Sequence, residues 1–428
     1  MRVHDLLGVG LGPFGLSLAA LADGVDDLDA VFFDQRPEFS WHPGLLLEGA
    51  TLQVPFLADL VTLVDPCSRW SYLSYLRERG RLFRFYFAER FQVPRVEYDD
   101  YLRWAAASIP GCRFGTRVDA LAWDEALGAF RVTVTDVLTQ RSQTCAARSV
   151  VLSVGTEPVV PQAFSGVLGK RVVHAADYLG ARPALLEAGS VTVVGSGQSG
   201  AEVFLDLLRA QPETGQSLRW MTRSPAFAPM EYSKLGLEHF TPDYARFFSG
   251  LPQPTRDGLL PQQWQLYKGI SAATIADVYD LLYERSAGGR GVDAVLQPGV
   301  AVEAARADGE GYALSCRHLL QDEVFDVATD AVVLATGYAA RRPALLEPLL
   351  PLLDLDEHGR YQVDSDHRVA LRVPGALYVQ NAEAHTHGVG APDLGLGAWR
   401  SARVLSAVTG RDLVGVAQEG AFTTFGAP

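Results

Sequence analysis

Leu6-Leu7-Gly8-Val9-Gly10-Leu11-Gly12-Pro13-Phe14-Gly15 is a short apolar run that ends in a glycine turn, and residues 16–22 continue with apolar positions at helical spacing. A second apolar run, 30–33, closes on Asp34. Strand, glycine turn, helix, strand and acid make one βαβ unit. The same order returns later: a β-branched strand at 190–194, the turn Gly195-Ser196-Gly197-Gln198-Ser199-Gly200, a helix at 201–210 and a strand at 218–222. Two units of one design predict an α/β protein with two Rossmann-like dinucleotide-binding domains and a smaller, mainly helical segment.

The rest of the chain is arranged around these units. Residues 114–135 and 139–154 alternate as strands do. Residues 225–282 are aromatic and helical, with loop signals at Pro242, Pro252, Pro254 and Pro261. A strand pair is expected within 312–327. Ala335-Thr336-Gly337-Tyr338 then reads as a late strand end and tight turn that return the chain to its first domain, and Val154-Gly155-Thr156 as an earlier crossing of the same kind. A last helix is expected at 397–409. The expected division is a discontinuous first domain at 1–170 and 330–428, a second at 171–228 and 295–329, and a helical substrate-binding segment at 229–294.

Composition excludes several functions. A net charge of −13 without a basic cluster argues against nucleic acid as a partner, and it does not repel a small cation. No run of about 18 apolar residues exists, so a membrane span is not expected. The run at 344–355 is interrupted by Glu347, Pro348 and Pro351. Cys67, Cys112, Cys145 and Cys316 are far apart and form no C-x-x-C pair, which points to reduced thiols in a cytoplasmic protein rather than to a metal site or disulfide scaffold.

Each glycine turn brings backbone close to a pyrophosphate and offers the unpaired N–H groups of a helix start to it. In the first turn these are Gly10, Gly12, Pro13, Phe14 and Gly15, with Gly8 just before; Asp34 is placed for a ribose diol. In the second they are Gly195, Gly197, Gln198, Ser199 and Gly200. There the next strand ends without an acid, at Arg223-Ser224, a pair suited to a 2′-phosphate, so NADPH is favoured over NADH. Two such folds suggest a flavin and a nicotinamide cofactor. By analogy with two-dinucleotide flavoenzymes, FAD belongs to the first, where Ala335, Thr336, Gly337 and Tyr338 also return. A disulfide reductase would need the missing C-x-x-C pair, and a non-catalytic nucleotide-binding module would consume no NADPH.

Further segments carry a resemblance. Phe39-Ser40-Trp41-His42-Pro43-Gly44, Leu52-Gln53-Val54-Pro55-Phe56-Leu57-Ala58-Asp59-Leu60-Val61-Thr62, and Glu97-Tyr98-Asp99-Asp100-Tyr101-Leu102-Arg103-Trp104 are three of them. The last runs from Thr386-His387-Gly388 through Pro392-Asp393-Leu394 to Ala398-Trp399-Arg400. With the glycine turns, they make nearly the whole chain resemble the flavin-dependent N-hydroxylating monooxygenases of siderophore biosynthesis, which act on lysine, ornithine or diamines. The resemblance implies that NADPH reduces FAD, that reduced FAD captures O2 as a C4a-hydroperoxide, and that a free amine takes the distal oxygen. It places Gln53 beside the flavin ring with Trp41, His42 and Leu57 nearby, and assigns His387 and Leu394 to the cofactor. No metal is implied. Dimers and tetramers occur in the family, so a homo-oligomer is expected.

The substrate turns on Ala58. Family members that act on amino acids carry a lysine there for the α-carboxylate. A buried carboxylate without a cation is costly, so alanine favours a diamine: putrescine, cadaverine or 1,3-diaminopropane. The alternative is L-lysine or L-ornithine, with Lys234 or Lys268 reaching in. Asp59 and Glu238 are candidates for a second ammonium, and Gly395 stands where many members have a serine near the substrate.

Overall fold

The computed structural model describes residues 2–413, 415 and 420–427. The opening strand, Val3–Val9, lies in the middle of a seven-stranded sheet, parallel to Ala30–Phe33 on one side and to Ser142–Leu152 on the other. Its last four residues are buried, as expected for a parallel strand covered on both faces. Cys112–Arg113 extends the sheet beyond Ala30–Phe33. Ser142–Leu152 is long enough to serve two partners. Its first half pairs antiparallel with Ala129–Asp136, while its end pairs parallel with Ala376–Val379, so the chain's late return is stitched to the strand beside the opening one.

A second sheet holds five parallel strands in the order Ala294–Gln297, Ser217–Met221, Ser190–Val194, Ala331–Leu334, Val172–His174. The helix Gln198–Thr214 lays Val203, Phe204, Leu207 and Leu208 on it. Three antiparallel strands, Val300–Asp308, Gly311–His318 and Glu323–Thr329, stand where the sequence suggested a pair. Ala331–Leu334 still belongs to the second sheet, so the chain crosses back a few residues after 330. Both crossings run side by side: Glu157–Pro158 pairs antiparallel with Tyr338–Ala339, and Val159 N donates to Gly337 O at 2.9 Å.

The prolines of the helical segment start helices more than they break them. Pro242 opens Pro242–Gly250 behind Thr241, whose Oγ1 accepts from Tyr244 N, and Pro252 and Pro254 sit at the start of Gln253–Gln262. A first-turn proline forfeits no hydrogen bond that the helix would have made. Pro261 falls near the end of the same helix. Tyr244, Phe248 and Leu266 form a small core of their own, and Val389 from the closing segment completes it. The helical segment is thereby packed onto the tail of the first domain.

Candidate active site

Both glycine turns, both crossings and the turn at 391–396 open onto one cleft of about 2390 Å³. The two turns are built by the same contacts. Gly10 has φ +94°, and a Cβ there would lie 2.4 Å from Ser153 O; Gly195 has φ +126°, and its Cβ would lie 2.1 Å from Ala335 O. Only glycine fits such a backbone, pressed against a neighbouring strand end. Gly15 and Gly200 press onto the carbonyls of Gly10 and Gly195, at 2.0 and 2.4 Å for an added Cβ. Gly12 faces open space, Gly197 has only Lys268 O near it, 3.7 Å from an added Cβ, and each stands as the N-cap of a helix that no side chain caps. Unpaired N–H groups at an open cradle suit an anionic pyrophosphate, so both turns fit a dinucleotide.

The surroundings of the turns differ. Asp34 lies on the cleft wall, but its oxygens are engaged: Oδ2 accepts from Leu11 N and Arg36 Nη2, both at 2.8 Å, and Oδ1 from Arg36 N and Nε at 2.9 and 3.0 Å. Burial disfavours its charge, yet the Arg36 guanidinium, helped by the N–H groups of Leu11 and Arg36, holds the carboxyl below its usual range. With its acceptor sites filled, Asp34 fixes the turn and the adjoining Arg36. At the second turn, Arg223 is exposed on the wall and pairs with no carboxylate among the described residues. Ser224 shares a hydroxyl cluster with Ser196 and Thr222.

Trp41, His42, Gln53, Leu57 and Ala58 come together on the wall. His42 has a left-handed φ of 46° at the head of the short turn Pro43–Leu45. Its ring is among those that line the cleft. Burial and the charge of Arg95 lower its pKa to about 4, so it is neutral near pH 7. The ring of Trp41 meets His42 and Tyr98 edge-on, at 5.0 and 5.4 Å. The Gln53 amide makes one long bond, 3.4 Å to Thr51 O, which leaves its polar atoms to a bound ring. Thr336, Gly337, Tyr338, Leu394 and Gly395 also line the cleft.

Several expected contacts lie elsewhere. Gly8 is inside the strand, where its missing Cβ makes room for the Phe32 ring. Gly15 and Gly200 join helix to strand and stay off the wall. Gln198 lines the cleft, but its amide is occupied by Glu202, Thr274 and Ser271 N. The His387 ring stacks on His367 at 4.2 Å, with Nδ1 2.9 Å from Thr386 Oγ1, so it is a buried support. The Asp59 carboxylate is held by Val61 N, Thr62 N, Thr62 Oγ1 and Tyr72 N, facing away from the wall that Ala58 forms. Glu238 binds the 422–423 backbone at the surface. Lys234 is off the wall too, and Lys268 stands by the second turn, its carbonyl 3.7 Å from where a Gly197 Cβ would be.

Two groups escaped the sequence reading. Arg95, from the helix Arg95–Ser108, donates to both oxygens of Glu202 at 2.8 and 2.9 Å and to Leu45 O at 2.8 Å. This buried fork ties the first domain to the helix that leaves the second glycine turn. The partners are 107 residues apart, and no local signal could reveal them. Asp393 also lies on the wall, inside the P-D-L-G turn that carried part of the resemblance. Around it the closing segment is locked in place. Fully buried Glu383 faces His367 at 3.3 Å and Arg400 at 3.4 Å, and the Arg400 guanidinium lies 4.8 Å from the centre of the Phe14 ring.

A model of the L-lysine 6-monooxygenase/L-ornithine 5-monooxygenase family matches residues 2–340. The putrescine N-hydroxylase of Shewanella oneidensis is 40% identical, over 99% of this chain and 84% of that protein. A cadaverine monooxygenase of the desferrioxamine pathway from Erwinia amylovora, solved with FAD, superposes with a TM-score of 0.97 at 39% identity, over 100% of this chain and 99% of that one. The ornithine N-hydroxylase of Kutzneria sp. 744, solved with reduced FAD, NADP+ and L-ornithine, gives a TM-score of 0.89 at 28% identity, over 95% and 99% of the two chains.

Proposed function

Because the chain belongs to the L-lysine 6-monooxygenase/L-ornithine 5-monooxygenase family, we propose that it uses FAD, NADPH and O2 to hydroxylate one nitrogen of a diamine for hydroxamate siderophore biosynthesis. Putrescine, cadaverine and 1,3-diaminopropane are the candidate substrates. The observation that carries the diamine is Ala58, a small apolar residue on the wall beside Leu57 and Gln53, with Lys234 off the wall and Lys268 beside the second glycine turn. Relatives named for putrescine and cadaverine support the same reading.

The first turn would hold FAD and the second NADPH, which together would supply reducing power and activated oxygen; in sum, amine, O2, NADPH and a proton become hydroxylamine, water and NADP+. The chain's residues do the rest. Gly10 and Gly12 admit the flavin nucleotide, Gly195 and Gly197 the nicotinamide one, and Arg223 with Ser224 meets a 2′-phosphate. Neutral His42 places no positive charge against a cationic substrate. Trp41, Tyr98 and Leu57 keep water from the reacting atoms. Arg95 with Glu202 keeps the two nucleotide sites in register.

A side-by-side panel tests this: NADPH consumption and hydroxylamine formation with putrescine, cadaverine, diaminopropane, lysine and ornithine. The diamines are expected to lead in kcat/KM, and a preference for either amino acid would overturn the reading. We further propose a cytoplasmic homo-oligomer. The helix Leu82–Ala88 buries none of its residues and exposes Phe83, Tyr86 and Phe87, apolar surface that a second copy would cover. A monomer in sedimentation would rule the oligomer out.

A further inference from the structure

Four acids stand on the cleft wall: Asp34, Asp119, Glu157 and Asp393. Three have an arginine within ion-pair distance. Arg36 reaches Asp34 at 2.8 Å, Arg117 reaches Asp119 at 2.5 Å and Arg341 reaches Glu157 at 3.2 Å. Asp393 has no such partner among the described residues. Its Oδ1 accepts from Gly395 N at 2.7 Å, and no side-chain donor bonds to it.

None of the cations on the cleft wall pairs with Asp393 among the described residues. Arg95 is forked onto Glu202. Arg223 and Lys268 belong to the second turn. Arg400 is buried nearby and its charge favours the ionised Asp393, but it forms no ion pair with it: Nε faces Glu383, Nη2 donates to Gly390 O at 2.9 Å, and Nη1 bonds to neither. A carboxylate on the wall of a cleft that no cation of the described residues pairs with leaves room for a cation from the ligand.

Its position fits the amine chamber. Asp393 is near enough to Tyr98 and Tyr232 for its charge to raise both phenols. Tyr98 packs against Trp41, and its hydroxyl donates to Ala58 O at 3.1 Å. Leu394, next in the chain, packs with Trp41 on the core cluster that contains Tyr98, which sets Asp393 toward the Ala58 and Trp41 side of the cleft.

We propose that Asp393 receives the ammonium at the far end of the diamine and so selects a diamine over a monoamine. This rests on the diamine reading above and deepens it. Burial raises the free carboxyl to about 6, against the lowering by Gly395 N, Arg400 and Leu396 N. Arg400, Tyr98 and Tyr232 are the charged and titratable groups that face it.

The test compares putrescine with 1-aminobutane, which has the same chain and no second ammonium. Asp393→Asn keeps an acceptor for Gly395 N and removes the charge. Its kcat/KM for putrescine is expected to fall about 30-fold or more, while the inhibition constant of 1-aminobutane stays within about threefold. A purely structural role would weaken both alike, and that result, or an unchanged putrescine kcat/KM, would overturn the proposal. The unaltered enzyme gives a second measurement should the variant fail to hold flavin. As pH falls below about 6, selectivity for putrescine over 1-aminobutane should decline, since ionisation of the reacting amine is common to both; constant selectivity from pH 8 to 5 would overturn the proposal. A preference for lysine or ornithine in the panel sinks the diamine reading itself, whereas preferred diamines with undiminished selectivity in Asp393→Asn sink only this inference.

Discussion

The two glycine turns are nearly the same object built twice, and what surrounds them is not. Gly10, Gly12 and Gly15 repeat in Gly195, Gly197 and Gly200, and in both copies the first and third glycines press on the equivalent carbonyls. One strand later the copies part: Asp34 anchors Arg36 at the first, and Arg223 at the second pairs with no carboxylate among the described residues. Backbone geometry accepts a pyrophosphate without choosing its owner. The choice lies in the side chains that follow.

The strongest way to break the comparison is to fill a cradle. Gly15→Val places a Cβ 2.0 Å from Gly10 O, and the backbone has to move. The purified variant is expected to be colourless, with flavin absorbance lost. Gly12→Ala meets no protein atom within 4 Å, so the same unit should keep its melting temperature and lose only flavin affinity. Equal loss of fold in both would show that the turn is structural at every glycine.

Next in size is the fork that holds the copies together. Glu202→Gln leaves Arg95 charged, buried and without its anion, at a cost of about 3–5 kcal/mol. A lower melting temperature is expected, along with more NADPH oxidised per hydroxylamine formed. An unchanged ratio would mean that the register of the two sites does not depend on this pair.

Arg223→Ala should act on one copy only. The KM for NADPH is expected to rise about 30-fold, in line with the loss of one charge-assisted phosphate contact, with little change for NADH. A parallel rise for both would place Arg223 away from the 2′-phosphate.

This comparison also marks how far sequence reading reaches. Both turns, their strands and the closing helix were legible, because a glycine forced by φ or by a strand carbonyl leaves a local imprint. The wall residues Trp41, His42, Gln53 and Ala58 were reached only through resemblance, since no spacing in the chain says that 41 and 58 meet. Asp59 illustrates the limit. As a carboxylate next to Ala58 it looked like an ammonium site, yet turn hydrogen bonds to Val61, Thr62 and Tyr72 face it inward. Asp393 is the converse, a residue inside a recognised segment whose unpaired state becomes visible only when every cation of the cleft has been located.

The smallest expected effect concerns pH. Asp34 has a folded pKa below its unfolded value of about 3.9, so its contribution is present above that value and is lost as pH falls through the lower, folded one. The second copy has no acid at this position and lacks this term. Acid titration should therefore release flavin from the unaltered protein with an added dependence below about pH 4 that Asp34→Asn flattens, while nicotinamide binding in the same range follows one curve in both proteins. Flavin release that tracks between them would mean that Leu11 and Arg36 hold the first turn equally well against an amide. The contrast between the copies would then rest on Arg223 alone.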